Sequence, residues 1–425
     1  MRMERNQCWR CAVEAGRPHR RLAFRTRIQS TTCHGKKGYG MRPEVGQGHD
    51  DESGHNDAAE SAEPASGVQV VTPALPPEVD AEAHHRRSAV LHALARKAYL
   101  LLVIAAVVIV GAKVSPFFLT SRNINSTLIT ASSVVVLAIG QFIVIVTGGI
   151  DLSVGSTAAL ASVVGALMMQ GHGSPAAAVI VCLALGAAVG FVNGVVIVFG
   201  RITPFIATLG MLNVASGLAY LLQTGDLVLI TNNRFITFFT GSIGGLASPI
   251  IISLIVLVVA AVVMAGTPLG RRLYALGGNP EAARLSGLPV KVDLLKAYSI
   301  SGMLAALAGL MISAQLAEGS AIIGSNYELA AIAAAVVGGA SLFGGRGDPV
   351  GAALGALAIG GITDIMQLRG VASQSQLLIQ GVVILVAVFF VSGGGGPLVK
   401  NGARGLSKII RSAQTTQVGR NFPGK

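Results

Sequence analysis

The chain has 425 residues, 52% of them hydrophobic and only 12% charged, with a formal net charge of +12. A water-soluble surface on a chain this long needs about twice that charge, which excludes a soluble globule. The basic excess is not a nucleic-acid footprint either. It sits in the tails and one loop without any DNA- or RNA-binding motif, and positive charge beside apolar spans is what membrane orientation calls for.

Residues 1–88 differ from the rest. Met1 to Gly40 hold ten Lys/Arg against two Asp/Glu, whereas Met41 to Arg87 hold ten Asp/Glu against three Lys/Arg. Neither half has apolar periodicity, and both read as a disordered cytoplasmic tail. The Arg-rich start lacks the apolar h-region of a secretory signal. It has the composition of a transit peptide, but a start codon placed too early, with Met41 as the true start, accounts better for residues 1–40. Cys8 and Cys11 have CxxC spacing, with Cys33 and His34 as nominal further ligands. Without a second CxxC they carry no metal assignment.

From Ala98 to Leu398 only 19 of 301 residues are Asp, Glu, Lys or Arg. Apolar runs of spanning length, about 20 residues, recur at 98–117, 124–147, 154–170, 175–199, 203–223, 247–266, 295–317, 327–343, 350–368 and 374–395. Ten spans put both termini on one side. With the N-terminus cytoplasmic, inner loops and flanking tails carry fifteen Lys/Arg and the outer loops four, so both termini are placed inside. The predicted class is an all-α integral membrane protein of about ten transmembrane helices, with the membrane domain at 89–398 and a basic cytoplasmic tail at 399–425. The 54 glycines supply small residues for close helix approach in lipid.

Two Gly-rich points break the apolar pattern. At the first, Gly148-Gly149-Ile150-Asp151, paired glycines precede the only acid between Val90 and Gly225. A carboxylate there must face the protein interior, water or a partner. Asp151 therefore reads as a pathway or gating residue or as the cap of the next helix, and both readings stand. At the second, Gly344-Gly345-Arg346-Gly347-Asp348-Pro349, Asp348 suits the N-cap and Pro349 the first turn. Both breaks carry Gly-Gly-x-x-Leu-x-x-Gly, from Gly148 and from Gly338. Polar residues in the spans, among them Asn123, Gln141, Asn193, Asn213, Asp364 and Gln380, suit a path for a hydroxyl-rich solute or hydrogen bonds between helices. Gly148, Gly149, Asp151, Asn193 and Asn213 are the pathway or gating candidates. The outer loop 224–245, with Asn232, Asn233 and Arg234, is a candidate dock for an external protein.

The largest inner loop, 266–296, contains a short helix with strong terminal signals. Asn279 is the N-cap, Pro280 opens the first turn, Glu281 faces the positive end of the dipole, Gly287 ends the helix and Pro289 blocks its continuation. Two turns are not stable alone in water, so Asn279, Pro280, Glu281, Ala282, Ala283, Arg284, Leu285, Ser286 and Gly287 must dock on another protein or on the chain's own helix ends.

The loop Thr267-Pro-Leu-Gly-Arg-Arg-Leu-Tyr-Ala-Leu-Gly-Gly-Asn-Pro-Glu-Ala-Ala-Arg-Leu-Ser-Gly-Leu-Pro-Val290 resembles that of ribose-type ABC sugar permeases. So do Thr147–Ser156, Thr203–Gly210 and Tyr327–Gly347, in the family's order over about residues 98–396. The resemblance implies that 279–290 is a coupling helix seated in a separate cytoplasmic ATPase. It also implies two permease copies around one path for a monosaccharide or polyol, an extracytoplasmic sugar-binding protein, and residence in a bacterial inner membrane. The chain has no G-x-x-x-x-G-K-[ST], so no cofactor is expected in it and ATP belongs to the partner. It also lacks HExxH and GxSxG, so it reads as no enzyme. Two alternatives share the architecture: a branched-chain amino-acid ABC permease, and an ion-coupled transporter using Asp151, Asp364, Glu318 or Glu328.

Overall fold

A computed structural model describes residues 99–391, apart from 171, 172, 224 and 226. The tails at 1–88 and 399–425, with Met41 and the Cys8–Cys11 pair, lie outside the described residues. The first helix is α1 (Tyr99–Val114). It is followed by α2 (Ser121–Val146), α3 (Val154–Met168), α4 (Pro175–Val198), α5 (Pro204–Leu222), α6 (Asn233–Thr240) and α7 (Ser248–Gly266). Then come α8 (Pro268–Gly278), α9 (Pro280–Leu285), α10 (Val290–Leu316), α11 (Tyr327–Val337), α12 (Pro349–Leu368) and α13 (Ser373–Val391). Two antiparallel pairs of two-residue strands complete the described part: β1 (Val228–Leu229) with β4 (Glu318–Gly319), and β2 (Ser242–Ile243) with β3 (Leu246–Ala247).

A helix lies in each of the ten predicted spans. Among the described residues, six of them, α2, α4, α5, α7, α10 and α12, are long and apolar enough to cross a membrane. At 1.5 Å per residue, α3 and α11 are about 22 and 16 Å long, short of the roughly 30 Å hydrocarbon core. Most of α3, and α11 from Ala330 to Val336, is buried in protein, where a part-length helix has no lipid to satisfy. The helix in span 327–343 ends six residues before the apolar run does, because Gly338 closes α11 and Gly339 turns to φ +91°. Two other differences concern loops. The inner loop holds α8 as well as α9, and the outer loop is built on α6, which buries Phe235 and Phe239.

The core runs along α2 and α10. From Ala131 to Val146 nearly every residue of α2 is buried, and α10 is buried along most of its length against α2, α3 and α4. In contrast α4, α5 and α7 turn Ile180, Phe191, Leu209, Leu254 and Val258 outward. Apolar surface on that scale belongs in lipid. Lipid supplies no hydrophobic force between helices, so close packing must do the work. Gly186, Gly190 and Gly194 form a four-residue repeat down the face of α4 that meets α10. A Cβ on Gly186 would lie 2.6 Å from Ala306 Cβ, and one on Gly194 would lie 3.0 Å from Leu295 Cδ2.

The ends of the bundle differ. One gathers α6, both strand pairs and the segment 317–326, tied by Asn232 Nδ2 donating to the Gly173 carbonyl at 2.8 Å and by Ala321 N–H donating to Gln223 Oε1 at 2.6 Å. The other gathers α8, α9 and both Gly-rich breaks.

Candidate functional site

The predicted loop helix is present as α9, built as its sequence requires. Asn279 Oδ1 accepts from the N–H groups of Glu281 (3.1 Å) and Ala282 (3.0 Å). At the far end Gly287 takes φ +76°. Its N–H donates to the Arg284 carbonyl at 3.0 Å and Leu288 N–H donates to the Ala283 carbonyl at 3.1 Å. This is the paired hydrogen bonding of a Schellman stop, whose left-handed residue favours glycine. Glu281 and Arg284 pair across one turn at 2.6 Å. The guanidinium beside it holds the Glu281 carboxyl below the usual carboxylate range.

What α9 packs on is equally informative. Only Ala283 is buried. Leu285 is 76% exposed, and Glu281, Ala282, Arg284 and Ser286 face outward with it. The helix is closed at both ends and turned away from the rest of the bundle.

Next to it, α8 seats on both Gly-rich breaks at once. Gly345 N–H donates to the Val146 carbonyl at 2.8 Å, joining the second break to the end of α2. Gly277, near the end of α8, lies against this bond: a Cβ there would run into the Val146 carbonyl and lie 2.6 Å from Gly345 N. A Cβ on Gly344 would lie 2.9 Å from Gly148 N. Tyr274 Oη donates to the Gly347 carbonyl at 3.0 Å, and burial pushes its phenol up to about 12, so it remains a donor. The two motif leucines, Leu152 and Leu342, pack into one small cluster with Ile332 and Val336.

Asp151 is fully buried. One carboxylate oxygen accepts from Ser153 N–H (3.0 Å) and Ser153 Oγ (2.6 Å), and the other from Ser301 Oγ on α10 (3.0 Å). Asn193 Nδ2 donates to Ser153 Oγ at 2.8 Å. With its amide oriented to satisfy both neighbours, Gln141 brackets the Asp151 backbone, donating at 2.9 Å and accepting at 3.2 Å. Asp151 thus joins α2, α3, α4 and α10 through its neighbours. It binds the residue before α3 and does not itself occupy the cap position, which is Ser153. Gly148 takes φ +82°, and Gly149 leaves room for the Tyr298 hydroxyl. Asn213 lies apart from these, exposed on α5 with its Nδ2 bonded to the Leu209 carbonyl at 3.0 Å.

Two features have little or no signal in the sequence, and a third has a partial one. Arg272 on α8 and Asp293 in the first turn of α10 form an ion pair of 3.0 Å whose N–H does not align for a full hydrogen bond. The Asp293 side chain is only 1% exposed. Arg272→Met would strand that carboxylate and is expected to cost about 3–5 kcal/mol. A lowered melting midpoint in detergent, largely restored in the Arg272→Met/Asp293→Asn double variant, is the measurement that checks it. The second feature is Gly277, whose only sequence signal is its place before the Asn279 cap. The third is a polar cavity of about 330 Å³ between α2, α11, α12 and α13, lined by Asp364 and Gln380 among others. None of the five pathway candidates lines it. Its signal was the hydroxyl spacing of Ser126, Thr127 and Thr130 along α2.

Residues 123–388 match the family described as branched-chain amino acid transport system / permease component. The ribose import permease protein of Escherichia coli strain K12 is 42% identical over 292 residues, 68% of this chain and 90% of that protein. The D-allose transport system permease protein of the same strain is 36% identical, over 67% of this chain and 88% of that protein. The L-arabinose ABC transporter permease protein of Azospirillum brasilense is 36% identical, over 65% and 81%. No solved structure matches. The chain belongs to this permease family: it is a membrane transport subunit and not an enzyme.

Proposed function

We propose that this chain is the translocation subunit of an ATP-driven importer for a monosaccharide or related polyol. The observation that carries the reading is α9, capped at both ends and exposing Leu285, Glu281 and Arg284 while only Ala283 is buried. A two-turn helix so exposed needs a partner surface to be worth keeping ordered. A cytoplasmic ATPase that binds residues 279–287 supplies one, together with the nucleotide this chain has no motif to hold.

Several observations support the rest. The α8–α9 end of the bundle holds Arg201, Arg271, Arg272, Arg284, Lys291 and Arg346, which suits a cytoplasmic face with both termini inside a bacterial inner membrane. The opposite end, with α6 and the two strand pairs, then offers the dock for an extracytoplasmic binding protein. A second permease copy fits the exposed face of α5, where Gly210, Asn213 and Gly217 interrupt apolar surface. An amide facing lipid is costly, and a partner copy across a shared path would cover it. Gly148, Gly149, Asp151 and Asn193 act as a gate in this reading: Gly148 packs on Gly344, against which α8 rests, and Asp151 and Asn193 brace the break through Ser153. The named relatives transport sugars, which favours a sugar over a branched-chain amino acid.

The test is recovery of an ATPase with the gently solubilised, tagged protein, compared with the Glu281→Arg/Arg284→Glu double variant. The swap keeps an oppositely charged pair on the helix while reversing the pattern shown to a partner, at a cost of up to about 1 kcal/mol from opposing the helix dipole. Recovery should fall about ten-fold or more. An ATPase retained equally by both would remove residues 281 and 284 as major contacts. None recovered with the wild type, alongside sodium- or proton-driven uptake, would overturn the reading.

A further inference from the structure

We infer that the cavity between α2, α11, α12 and α13 is a monosaccharide reception site, opening at the end of the bundle opposite α9 and read by Asp364, Thr363, Thr127, Thr130, Gln380 and Tyr327. The inference rests on the importer reading and adds to it where the sugar is first held. The cavity measures about 330 Å³, within the range of small-molecule sites of about 300–1,000 Å³. It opens to the outside and mixes carboxylate, amide and hydroxyl groups with apolar ones, so it is not a sealed packing void.

The hydrogen bonding of the lining specifies the ligand chemistry. Thr127 Oγ1 donates to the Asn123 carbonyl (2.9 Å), Thr130 Oγ1 to the Ser126 carbonyl (3.1 Å) and Thr363 Oγ1 to the Ile359 carbonyl (3.0 Å). Each hydroxyl has spent its one proton on its own helix, so what it offers the cavity is lone pairs. Asp364 is acceptor-only when ionised, and Asn123 Nδ2 occupies one of its oxygens, Oδ2, at 2.7 Å. Gln376 Nε2 donates to the Val371 carbonyl at 2.8 Å, leaving its carbonyl oxygen as the free end.

Beside these acceptors the lining carries donors, the amides of Asn326, Gln367 and Gln380 and the hydroxyls of Ser126, Ser325 and Ser373, and a mixed set of this kind suits a ligand whose hydroxyls both donate and accept. Among the described residues that line the cavity none is Lys, Arg or His, so the carboxylate of an amino acid would enter unpaired. Gln380 adds an amide able to donate to a ring or hydroxyl oxygen, and the Tyr327 ring gives a C–H-rich sugar face something to lie on. The elements that converge here are the N-terminal ends of α2, α11 and α13 and the C-terminal part of α12. This places the site at the end where the binding protein would release its cargo.

The test uses the assembled transporter in proteoliposomes. Asp364→Asn and Gln380→Leu are each expected to lower uptake of labelled D-ribose or a related aldose by about ten- to a hundred-fold, with the ATPase still bound and ATP still hydrolysed. A second readout needs no transport. In Thr130→Cys the new thiol should react with a membrane-impermeant thiol reagent, and saturating aldose should slow the reaction. Cys182 is buried, and the chain without the new cysteine gives the background. Uptake unchanged in both variants with no protection of the thiol overturns the site while leaving the importer reading intact. A thiol blocked in the assembled transporter with or without sugar, yet reactive in separated subunits, overturns it in favour of a contact between copies. Wild-type transporter that recovers its ATPase but moves only non-sugar solutes fails the sugar reading and the site together.

Discussion

Gly190→Val is expected to abolish recovery of folded permease. The position is the middle of the three glycines along which α4 meets α10. A Cβ there would run into the Tyr298 carbonyl oxygen and lie 2.7 Å from the carbonyl carbon and 3.0 Å from Ser299 Cα. All three atoms are backbone, so no side chain can swing aside and the helices must separate. Separation is costly in both directions: Gly302 on α10 sits against the Gly186 carbonyl, and a Cβ on it would lie 3.0 Å from Gly190 N. Overpacking a core costs about 1–3 kcal/mol where side chains can adjust, and here they cannot. Set against a total stability of about 5–15 kcal/mol, one branched residue removes a large share. Val192→Ala is the control, because Val192 points outward at 44% exposure. Size-exclusion profile and melting midpoint in detergent read the result. A monodisperse Gly190→Val protein melting with the wild type would show that α4 and α10 are not held by this contact.

What was legible in the sequence divides by the range of the interaction. The α9 helix could be read nearly atom by atom because its signals are local: Asn279 caps groups two and three residues away, and Gly287 stops the helix three residues after Arg284. The same holds for Asp348, which caps α12 by accepting from Val350 N–H at 3.2 Å. The spans could be read because lipid demands a run of apolar residues, yet the same rule overstated α11, which is sheltered by protein and can stop early. Asp151 was legible only as an anomaly. Its partners are Gln141, Ser153 and Ser301, with Asn193 bonded in turn to Ser153, and no spacing in one chain predicts that four elements will bring them together. The cavity was half legible. Asp364 and Gln380 stood out as polar residues in apolar runs, whereas Thr127, Thr130 and Thr363 passed unnoticed because a threonine bonded to its own helix costs a span little.

Gly277 and Gly278 are adjacent in sequence and should behave oppositely when changed to alanine. Around Gly278 there is nothing within 4 Å of an added Cβ, so Gly278→Ala should fold and transport like the wild type, with a gain of about 0.5–1 kcal/mol from the stiffer chain. At Gly277 the same methyl would enter the space beside the Gly345 N–H to Val146 carbonyl bond and lift α8 from both breaks. One residue, Asn279, separates α8 from α9. A partner that moves α9 therefore acts on a lever whose other end rests on the backbone of Val146, Gly344 and Gly345. Removing the seat leaves the exposed face of α9 unchanged, so ATPase binding should persist in Gly277→Ala while sugar moved per ATP hydrolysed falls about ten-fold. Paired uptake and hydrolysis measurements in proteoliposomes separate the two quantities. Should Gly277→Ala and Gly278→Ala transport equally well per ATP, force from α9 does not pass through α8, and the direct connection from Pro289 into α10 would have to carry it.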